Sequence, residues 1–363
     1  MEPTRSDAAD VAIVRDGAAT LLALEPCEVL SASGPEALDA LDALSAGWWA
    51  GFLSYDLGRS VERVASRDRP GPPIPDLLLV RFERRVLLED PPSAPALGRL
   101  GPWRSSLDRE AWGPAVAAIL DHLGAGDCYQ VNLTRQLVAE GEADPVALFS
   151  AVERSNPAPH AAMLRIGDVA VVSASPERFL RVDGAAIETR PIKGTARDPG
   201  VLAASAKDRA ENVMIVDLAR NDLGRVCEYG SIHVPSLFEV EAHPGLFHLV
   251  STVRGRLREE ATIGDVIRAT FPPASVTGCP KPRVMQIIED LEPVRRGVYC
   301  GAIGFIDADN GVIDLNVAIR TFTMTQGRTY FGVGGGIVAD SDPKTEWAET
   351  ELKASKLMGL VER

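Results

Sequence analysis

The clearest pattern of hydrophobic and polar positions begins near residue 111. The stretch AWGPAVAAILDHL, residues 111–123, has apolar residues at helical spacing and predicts an amphipathic helix. In the next stretch, CYQVNLTRQLV, apolar and polar residues alternate from Tyr129 to Thr134. Because side chains of a strand point alternately to its two faces, this alternation predicts a strand with its polar set on one face.

Helices and strands follow in mixed order after this strand. A hairpin turn is predicted at Asp183 and Gly184, a long helix over residues 201–221, and a helix capped by Thr262. The last third predicts a final helix from about 342 to 359, preceded by three strands, GVYCGAIGFI, VIDLNVAIRTFTM and TYFGVGGGIVA. Strict alternation of strand and helix is missing, which favours an α+β fold with large antiparallel sheets.

Composition limits the class of protein and its partners. The chain has 363 residues, 45% of them hydrophobic, which fits one large domain or two closely joined lobes. Its net charge of −13 disfavours binding to nucleic acid or to a membrane surface. Five scattered cysteines without metal spacing, and an N-terminal MEPTRSDAADVAIV without an apolar core, lead us to expect a reduced, cytoplasmic protein.

Two features near the C-terminus are candidates for chemistry. Glu346, Glu349 and Lys353 lie on one helical face, where paired carboxylates can hold a hard cation such as Mg²⁺. The alternative is a solvated face with a Glu–Lys pair. The stretch GVGGG, 332–336, lacks the spacing of a dinucleotide loop, so it is either backbone close to a ligand or a tightly packed strand.

Lys193 lies in the stretch ETRPIKGTARDPG between Arg190 and Arg197. Neighbouring cations and burial both lower the pKa of a lysine, and a neutral lysine is a nucleophile. Glu177, in SASPERF, is expected within proton-transfer range. On these residues alone, an anion-binding or solvated basic loop remains the alternative, and His248 remains a structural histidine.

Taken together, nine ordered motifs resemble those of the chorismate-utilising enzymes. They extend over most of residues 111–360, and GWWAGFLSYDLGR (47–59) resembles the N-terminal region of that family. The nine are GDCYQVNLTR (126–135), SASPERF (173–179), ETRPIKGT (188–195), ENVMIVDLARNDLGRVC (211–227), HLVSTVRGRL (248–257), FPPASVTGCPKPRVMQII (271–288), RRGVYCGAIGF (295–305), LNVAIRT (315–321) and GVGGGIVADSDPKTEWAETELKA (332–354).

The resemblance implies a fold and a set of site residues. The fold is α+β of the anthranilate synthase component I type, with two large antiparallel sheets forming a sandwich flanked by helices. Residues 1–110 would be integrated into the same fold, and 111–363 would be the chorismate-binding catalytic domain. Glu211, Glu346 and Glu349 match acidic residues around Mg²⁺, and Glu177 matches the acid/base residue. The expected substrate-binding residues are Arg320, Tyr299, Ser275, Gly334, Gly336, Lys353, His248 and Gln130.

Two positions distinguish the branches of this family. The branches that add water have a lysine base where this chain has Gln130, which cannot act as that base. Anthranilate synthases have a small residue where this chain has Lys193. The resemblance therefore implies the branch in which the lysine attacks C2 of chorismate as the 4-hydroxyl leaves, and ammonia then displaces the lysine by adding at C4.

The implied product is 4-amino-4-deoxychorismate, on the path to 4-aminobenzoate and folate. The chain has no amidotransferase nucleophile motif, so we expect ammonia from a separate glutamine amidotransferase subunit in a heterodimer. Two alternatives remain open, an anthranilate synthase component I and a non-catalytic chorismate-binding protein. The tryptophan-sensing motif of regulated anthranilate synthases is not evident, the nearest stretch being LLALEP (21–26).

Overall fold

The computed structural model describes residues 10–93, 96–155, 157–243 and 246–361. Residues 1–9, which form most of the N-terminal stretch used for the expectation about export, lie outside this range. Within it, short 3₁₀ turns occur at Tyr55–Leu57 and Ala274–Val276. Helices α1 to α9 are Glu36–Asp42, Gly58–Glu62, Arg109–Gly124, Pro145–Ser155, Pro199–Ala204, Ala206–Gly224, Ile263–Thr270, Lys281–Leu291 and Pro343–Val361.

The described strands pair only in antiparallel ladders, which link them into one continuous network. Strands β1 to β18 are Val11–Asp16, Ala19–Ala32, Trp48–Leu53, Leu77–Leu87, Arg104–Ser105, Gln130–Glu140, His160–Ile166, Val169–Ser175, Arg178–Asp183, Ala186–Arg190, Ile192–Ala196, His233–His243, Leu246–Arg256, Gly278–Cys279, Ala302–Asp307, Val312–Val317, Thr321–Thr325 and Arg328–Ile337. The spatial order is β5, β6, β18, β17, β8, β7, β1, β2, β4, β3, β15, β16, β9, β10, β13 and β12, with β14 beside β6 and β11 beside β13.

The network folds over itself to enclose its core. One apolar cluster lies between the strand group β1, β7 and β8 and the strand group β3, β4 and β15, and contains Trp48, Phe52 and Phe305. A second packs α4 and α9 against β8, β17 and β18. Because β18 is covered by α9, polar side chains on that helix are held next to the glycine-rich end of the strand.

The N-terminal region shares ladders with the C-terminal strands. Strand β3 pairs with β15 from Trp48 opposite Asp307 to Leu53 opposite Ala302. Strand β1 pairs with β7 in the same way. Among the described helices, none is both long enough and apolar enough to cross a lipid bilayer.

Three of the local structures predicted from the sequence are confirmed, and one predicted helix is wrong. The amphipathic helix is α3, the hairpin at Asp183 and Gly184 joins β9 to β10, and Thr262 caps α7 in a capping box with Asp265. The single helix predicted over 201–221 is wrong, because Ser205 ends α5 and its hydroxyl accepts a hydrogen bond from the Asp208 N–H at the start of α6.

The strand predicted from VIDLNVAIRTFTM is also interrupted. Its residues form β16 and β17, with Arg320 between them at a φ of 53°. A non-glycine residue in the left-handed region cannot continue a strand, so the chain turns there. This break moves Arg320 out of the regular alternation of a sheet.

Candidate active site

The candidate site lies where β6, β11 and β18 meet α6 and α9. Strands β6 and β18 pair with Gly334 opposite Thr134 and Gly336 opposite Asn132. On the other side of β6, Gln130 pairs with Cys279 of β14. Helix α6 packs against β11 and α9 against β18, so side chains from both helices can reach the ends of these strands.

Lys193 projects from β11 into this site. Its Nζ lies 3.3 Å from Gln130 Oε1 and 3.8 Å from Glu211 Oε2. Burial lowers the pKa of Lys193, and this effect exceeds the opposing charges of Glu211 and Glu177. A lowered pKa increases the neutral fraction of the amine at pH 7, which is the form that can act as a nucleophile.

The neighbouring arginines do not cause the lowered pKa of Lys193, contrary to the interpretation from the sequence. Arg190 donates a hydrogen bond to the Glu241 carboxylate and a longer one of 3.4 Å to Thr252 Oγ1, while Arg197 is exposed. The cation that lowers the pKa of Lys193 is Lys353, which comes from α9. Arg190 is paired with a carboxylate that compensates its charge, and it is not among the groups that shift the pKa of Lys193.

Glu177 lies between β8 and β9 and is 4% exposed. Burial raises its pKa from 4.5 to about 7, against the lowering effects of a hydrogen bond from Ser275 and the charge of Lys193. The Ser175 hydroxyl, 3.2 Å away, accepts a hydrogen bond from the Glu177 N–H and fixes the backbone. A carboxyl group with a pKa near 7 can both give and take a proton at physiological pH.

Three further carboxylates, Glu211, Glu346 and Glu349, lie around shared lysines. Lys353 Nζ is 2.6 Å from Glu349 Oε1, and Glu346 Oε1 accepts a hydrogen bond of 2.6 Å from Ser341. Burial raises the pKa of Glu346, whereas at Glu349 the lysine charges outweigh burial and lower the pKa. These carboxylates therefore face a common space that is already rich in positive charge.

Sequence inspection missed Lys207 at this point. It lies 4.0 Å from Glu211, one helical turn away on α6, and its charge lowers the pKa of both Glu346 and Glu349. The signal was present as an i,i+4 spacing between Lys207 and Glu211. What the sequence could not show is that α6 and α9 bring this lysine next to the other two carboxylates.

The carboxylates fit a magnesium ion only as a partial ligand set. Within the described ranges, no group of three or more His, Cys, Asp or Glu is arranged to surround a metal. Mg²⁺ commonly takes one or two protein carboxylates and completes its octahedron with water and substrate oxygens. Glu211, Glu346 and Glu349 supply the oxygen donors that this mode needs, and the lysines near them neutralise their charge.

Close packing restricts side chains at Gly334 and Gly336 of β18. A Cβ on Gly334 would lie 2.3 Å from Leu133 O, and one on Gly336 would lie 3.0 Å from Gln130 Nε2. The carbonyl of Gly334 accepts a hydrogen bond of 3.0 Å from Lys353 Nζ. The two interpretations of this stretch are therefore compatible, since the strand is tightly packed and its backbone also contacts site residues.

Gln130 is fully buried and lies between Lys193 and the glycine strand. Its carbonyl accepts from Lys193, while its amide nitrogen has no hydrogen-bond partner among the described residues. An unpaired buried donor is costly, and a substrate oxygen would satisfy it. Gln130 has no group that could act as a base.

The Arg320 guanidinium also has hydrogen-bond donors without a partner among the described residues. Burial lowers its pKa, and its guanidinium makes no hydrogen bond or ion pair within the part of the chain that the structure describes. A partly buried guanidinium without a carboxylate is unusual, because desolvation of the charge is then uncompensated. Its five donors match the planar geometry of a substrate carboxylate.

Tyr299 and His248 border the site from two further elements. The Tyr299 ring packs on β18, where a Cβ on Gly332 would lie 2.1 Å from it, and burial raises the pKa of Tyr299. His248 on β13 is 2% exposed, and its Nδ1 lies 2.8 Å from Thr195 Oγ1, two residues after Lys193. The histidine therefore supports the strand that carries the lysine.

Comparison with known proteins assigns this chain to a family. The chorismate binding enzyme family matches residues 15–359. The chain belongs to this family. Aminodeoxychorismate synthase component 1 of Klebsiella aerogenes is 41% identical over 346 residues, which cover 86% of this chain and 76% of that protein. Anthranilate synthase component 1 of Thermus thermophilus is 36% identical over 359 residues, covering 87% and 78%.

Solved structures agree with the predicted fold. The crystal structure of anthranilate synthase component I from Streptococcus pneumoniae has a TM-score of 0.79 at 28% identity and covers 97% of this chain and 92% of that one. The predicted α+β fold of this type is confirmed. In this chorismate-binding enzyme, the lysine, the acid and the unpaired arginine therefore lie in a scaffold shared with enzymes of the same family.

Proposed function

We propose that the protein is the chorismate-aminating component of an aminodeoxychorismate synthase, forming 4-amino-4-deoxychorismate for 4-aminobenzoate and folate synthesis. The observation that carries the proposal is that a buried lysine of lowered pKa, Lys193, lies close enough to a buried carboxyl group of raised pKa, Glu177, for each charge to affect the other. The names of relatives such as that of Klebsiella aerogenes support the same reaction. The lysine provides the nucleophile and the carboxyl group manages the protons.

Chorismate carries two carboxylates, and the site has cationic and oxygen donors for both. The unpaired guanidinium of Arg320 is suited to one carboxylate by a two-pronged hydrogen bond. Glu211, Glu346 and Glu349 would hold Mg²⁺, which would neutralise charge on the bound substrate. Lys353, already hydrogen-bonded to the Gly334 carbonyl, orients the strand along which the substrate lies.

In the first step, the neutral amine of Lys193 attacks C2 of chorismate. The two conjugated ring double bonds each shift by one position, and the bond from C4 to its hydroxyl breaks. Glu177 gives its proton to the departing hydroxyl, so water leaves and the carboxylate remains. Gln130, whose carbonyl lies 3.3 Å from the Lys193 nitrogen, holds the amine in position for this attack.

In the second step, ammonia adds at C4 and the bond between C2 and the Lys193 nitrogen breaks. The Glu177 carboxylate takes one proton from the new C4 ammonium group, which restores the acid for the next cycle. Ammonia comes from a glutamine amidotransferase subunit, in agreement with the "component 1" in the names of relatives. Free ammonia at high concentration would replace that subunit.

Anthranilate synthesis is the second candidate, because anthranilate synthase component 1 of Thermus thermophilus is also similar to this chain. That reaction aminates C2 and eliminates pyruvate. Lys193 argues against it, since a lysine next to C2 would occupy the position that ammonia must reach. A chorismate-binding protein without activity is the third candidate, but the nucleophile and acid positions are both filled.

The product of one incubation distinguishes these candidates. The protein is mixed with chorismate, Mg²⁺ and an ammonium salt at pH 8, and the products are separated and identified by mass. We expect 4-amino-4-deoxychorismate without release of pyruvate. Anthranilate and pyruvate as the main products would contradict the proposal, and so would the absence of any turnover.

A further inference from the structure

A cavity of about 30 Å³ adjoins Glu177. Glu177 and Ser275 form part of its wall, whereas Lys193, Gln130 and the three metal-binding carboxylates do not. Most of the remaining wall is apolar, from α6 on one side and from β9 and β16 on the other. Its apolar members include Ile215, Ala219, Leu223, Phe179, Leu180 and Val317.

The size of the cavity decides which ligands it can hold. A water molecule needs about 10–15 Å³ of such space, so the cavity has room for one or two molecules of that size. Sites for larger organic ligands are typically about 300–1,000 Å³. Chorismate is therefore excluded from this space, whereas ammonia, which is as small as water, fits.

Each charge in the wall other than Glu177 is compensated. The wall residue Asp222 is paired with Lys281, which is 2% exposed and whose Nζ lies 3.0 Å from Asp222 Oδ2. Arg225 contacts the other Asp222 oxygen at 2.9 Å. Arg178 pairs with Asp314 at 3.1 Å and with Glu188 at 3.2 Å. Among the described residues, Glu177 is therefore the only charged group of the wall without an ion-pair partner inside the protein.

We propose that this cavity holds the ammonia that attacks C4 and delivers it to Glu177 as neutral NH₃. The inference rests on the proposed function, in which one carboxylate meets both the departing hydroxyl and the incoming nitrogen. An apolar wall favours the uncharged molecule, since transfer of an ion into such surroundings is costly. Neutral ammonia is also the only nucleophilic form.

The step balances with the groups present. The nitrogen lone pair forms the bond to C4, the two ring double bonds shift back, and the C2–nitrogen bond breaks with its electrons returning to Lys193. One proton moves from the new ammonium group to the Glu177 carboxylate. Glu177 lines the cavity and also interacts electrostatically with Lys193, so this side chain connects the cavity to the reaction site.

The test fills the cavity from two sides. Ala219→Val adds two carbon atoms to the cavity wall from α6. Val317→Ile adds one carbon atom from β16. The control is Ala117→Val on the exposed face of α3, which has the same cost in helix propensity. Each variant is assayed for formation of the Lys193 adduct without ammonia, and for turnover over a range of ammonium concentrations at saturating chorismate.

We expect both cavity variants to form the adduct at a rate within about twofold of the wild type, while kcat/KM for ammonia falls about tenfold. The control should match the wild type in both assays. Unchanged kcat/KM for ammonia in both cavity variants would overturn the inference and leave the proposed function intact. If the wild type forms no adduct and aminates nothing, the proposed function itself fails. Val317→Ile, the smaller change, keeps the test valid if Ala219→Val does not fold.

Discussion

Replacement of Glu177 by glutamine should remove activity and, at alkaline pH, stabilise the fold. Burial raises the pKa of this carboxyl group from 4.5 to about 7. One pKa unit corresponds to about 1.36 kcal/mol, so a difference of about 2.5 units between the folded and unfolded states changes the free energy of unfolding by roughly 3 kcal/mol. The folded state therefore loses stability as the pH rises from 4.5 through about 7, because the unfolded chain ionises Glu177 more readily.

Glutamine is neutral at every pH and avoids this cost. We expect the gain in the free energy of unfolding of Glu177→Gln over the wild type to be larger at pH 8.5 than at pH 5.5 by about 2 kcal/mol. Urea unfolding at the two pH values, without metal or substrate, measures it. The control is Glu259→Gln, at an exposed position.

The control should change stability equally at both pH values. A stability change for Glu177→Gln that is the same at pH 5.5 and 8.5 would refute the reasoning, because Glu177 would then ionise as easily in the folded as in the unfolded state. Such a result would also remove the basis for Glu177 as the proton donor.

Three further substitutions test other parts of the site. Ser275→Ala removes a hydrogen bond that lowers the pKa of Glu177, so the alkaline limb of the pH–rate profile for adduct formation should move up by about one pH unit. Ser275→Thr should keep this limb in place. An unmoved limb in the alanine variant would contradict the role of Ser275 in setting the pKa of Glu177. Arg320→Gln should raise KM for chorismate about 10- to 100-fold without lowering the thermal midpoint, since its guanidinium has no partner among the described residues; an unchanged KM rules out a substrate contact. Glu349→Gln should raise the Mg²⁺ concentration for half-maximal activity at least about tenfold, and an identical Mg²⁺ titration contradicts its role as a ligand.

Signals within a few residues of each other were sufficient for much of the fold. The spacing of apolar residues in α3, the Asp183–Gly184 turn and the Thr262 cap depend on local geometry, and each occurs as predicted. The break between α5 and α6 at Ser205 was not predicted, because its neighbours on both sides are good helix formers.

The electrostatics of the site depended on contacts between distant residues. Arg190 and Arg197 are near Lys193 in sequence, yet Arg190 is paired with Glu241, and the cation that affects Lys193 is Lys353. The family motifs implied Lys353 as a substrate-binding residue, but only the packing of α9 on β18 brings it next to Lys193. The burial that shifts the pKa of Glu177 is likewise a property of the assembled core.

The central claim, that Lys193 is a covalent nucleophile, is tested most directly by mass spectrometry of the intact protein. The enzyme is incubated with chorismate and Mg²⁺ without ammonia, quenched and weighed, and the modified residue is located by peptide mapping. The account predicts a mass increase equal to chorismate minus water, located on Lys193 and missing in Lys193→Ala. An adduct that persists in Lys193→Ala, or amination by a wild-type enzyme that never forms one, would contradict it.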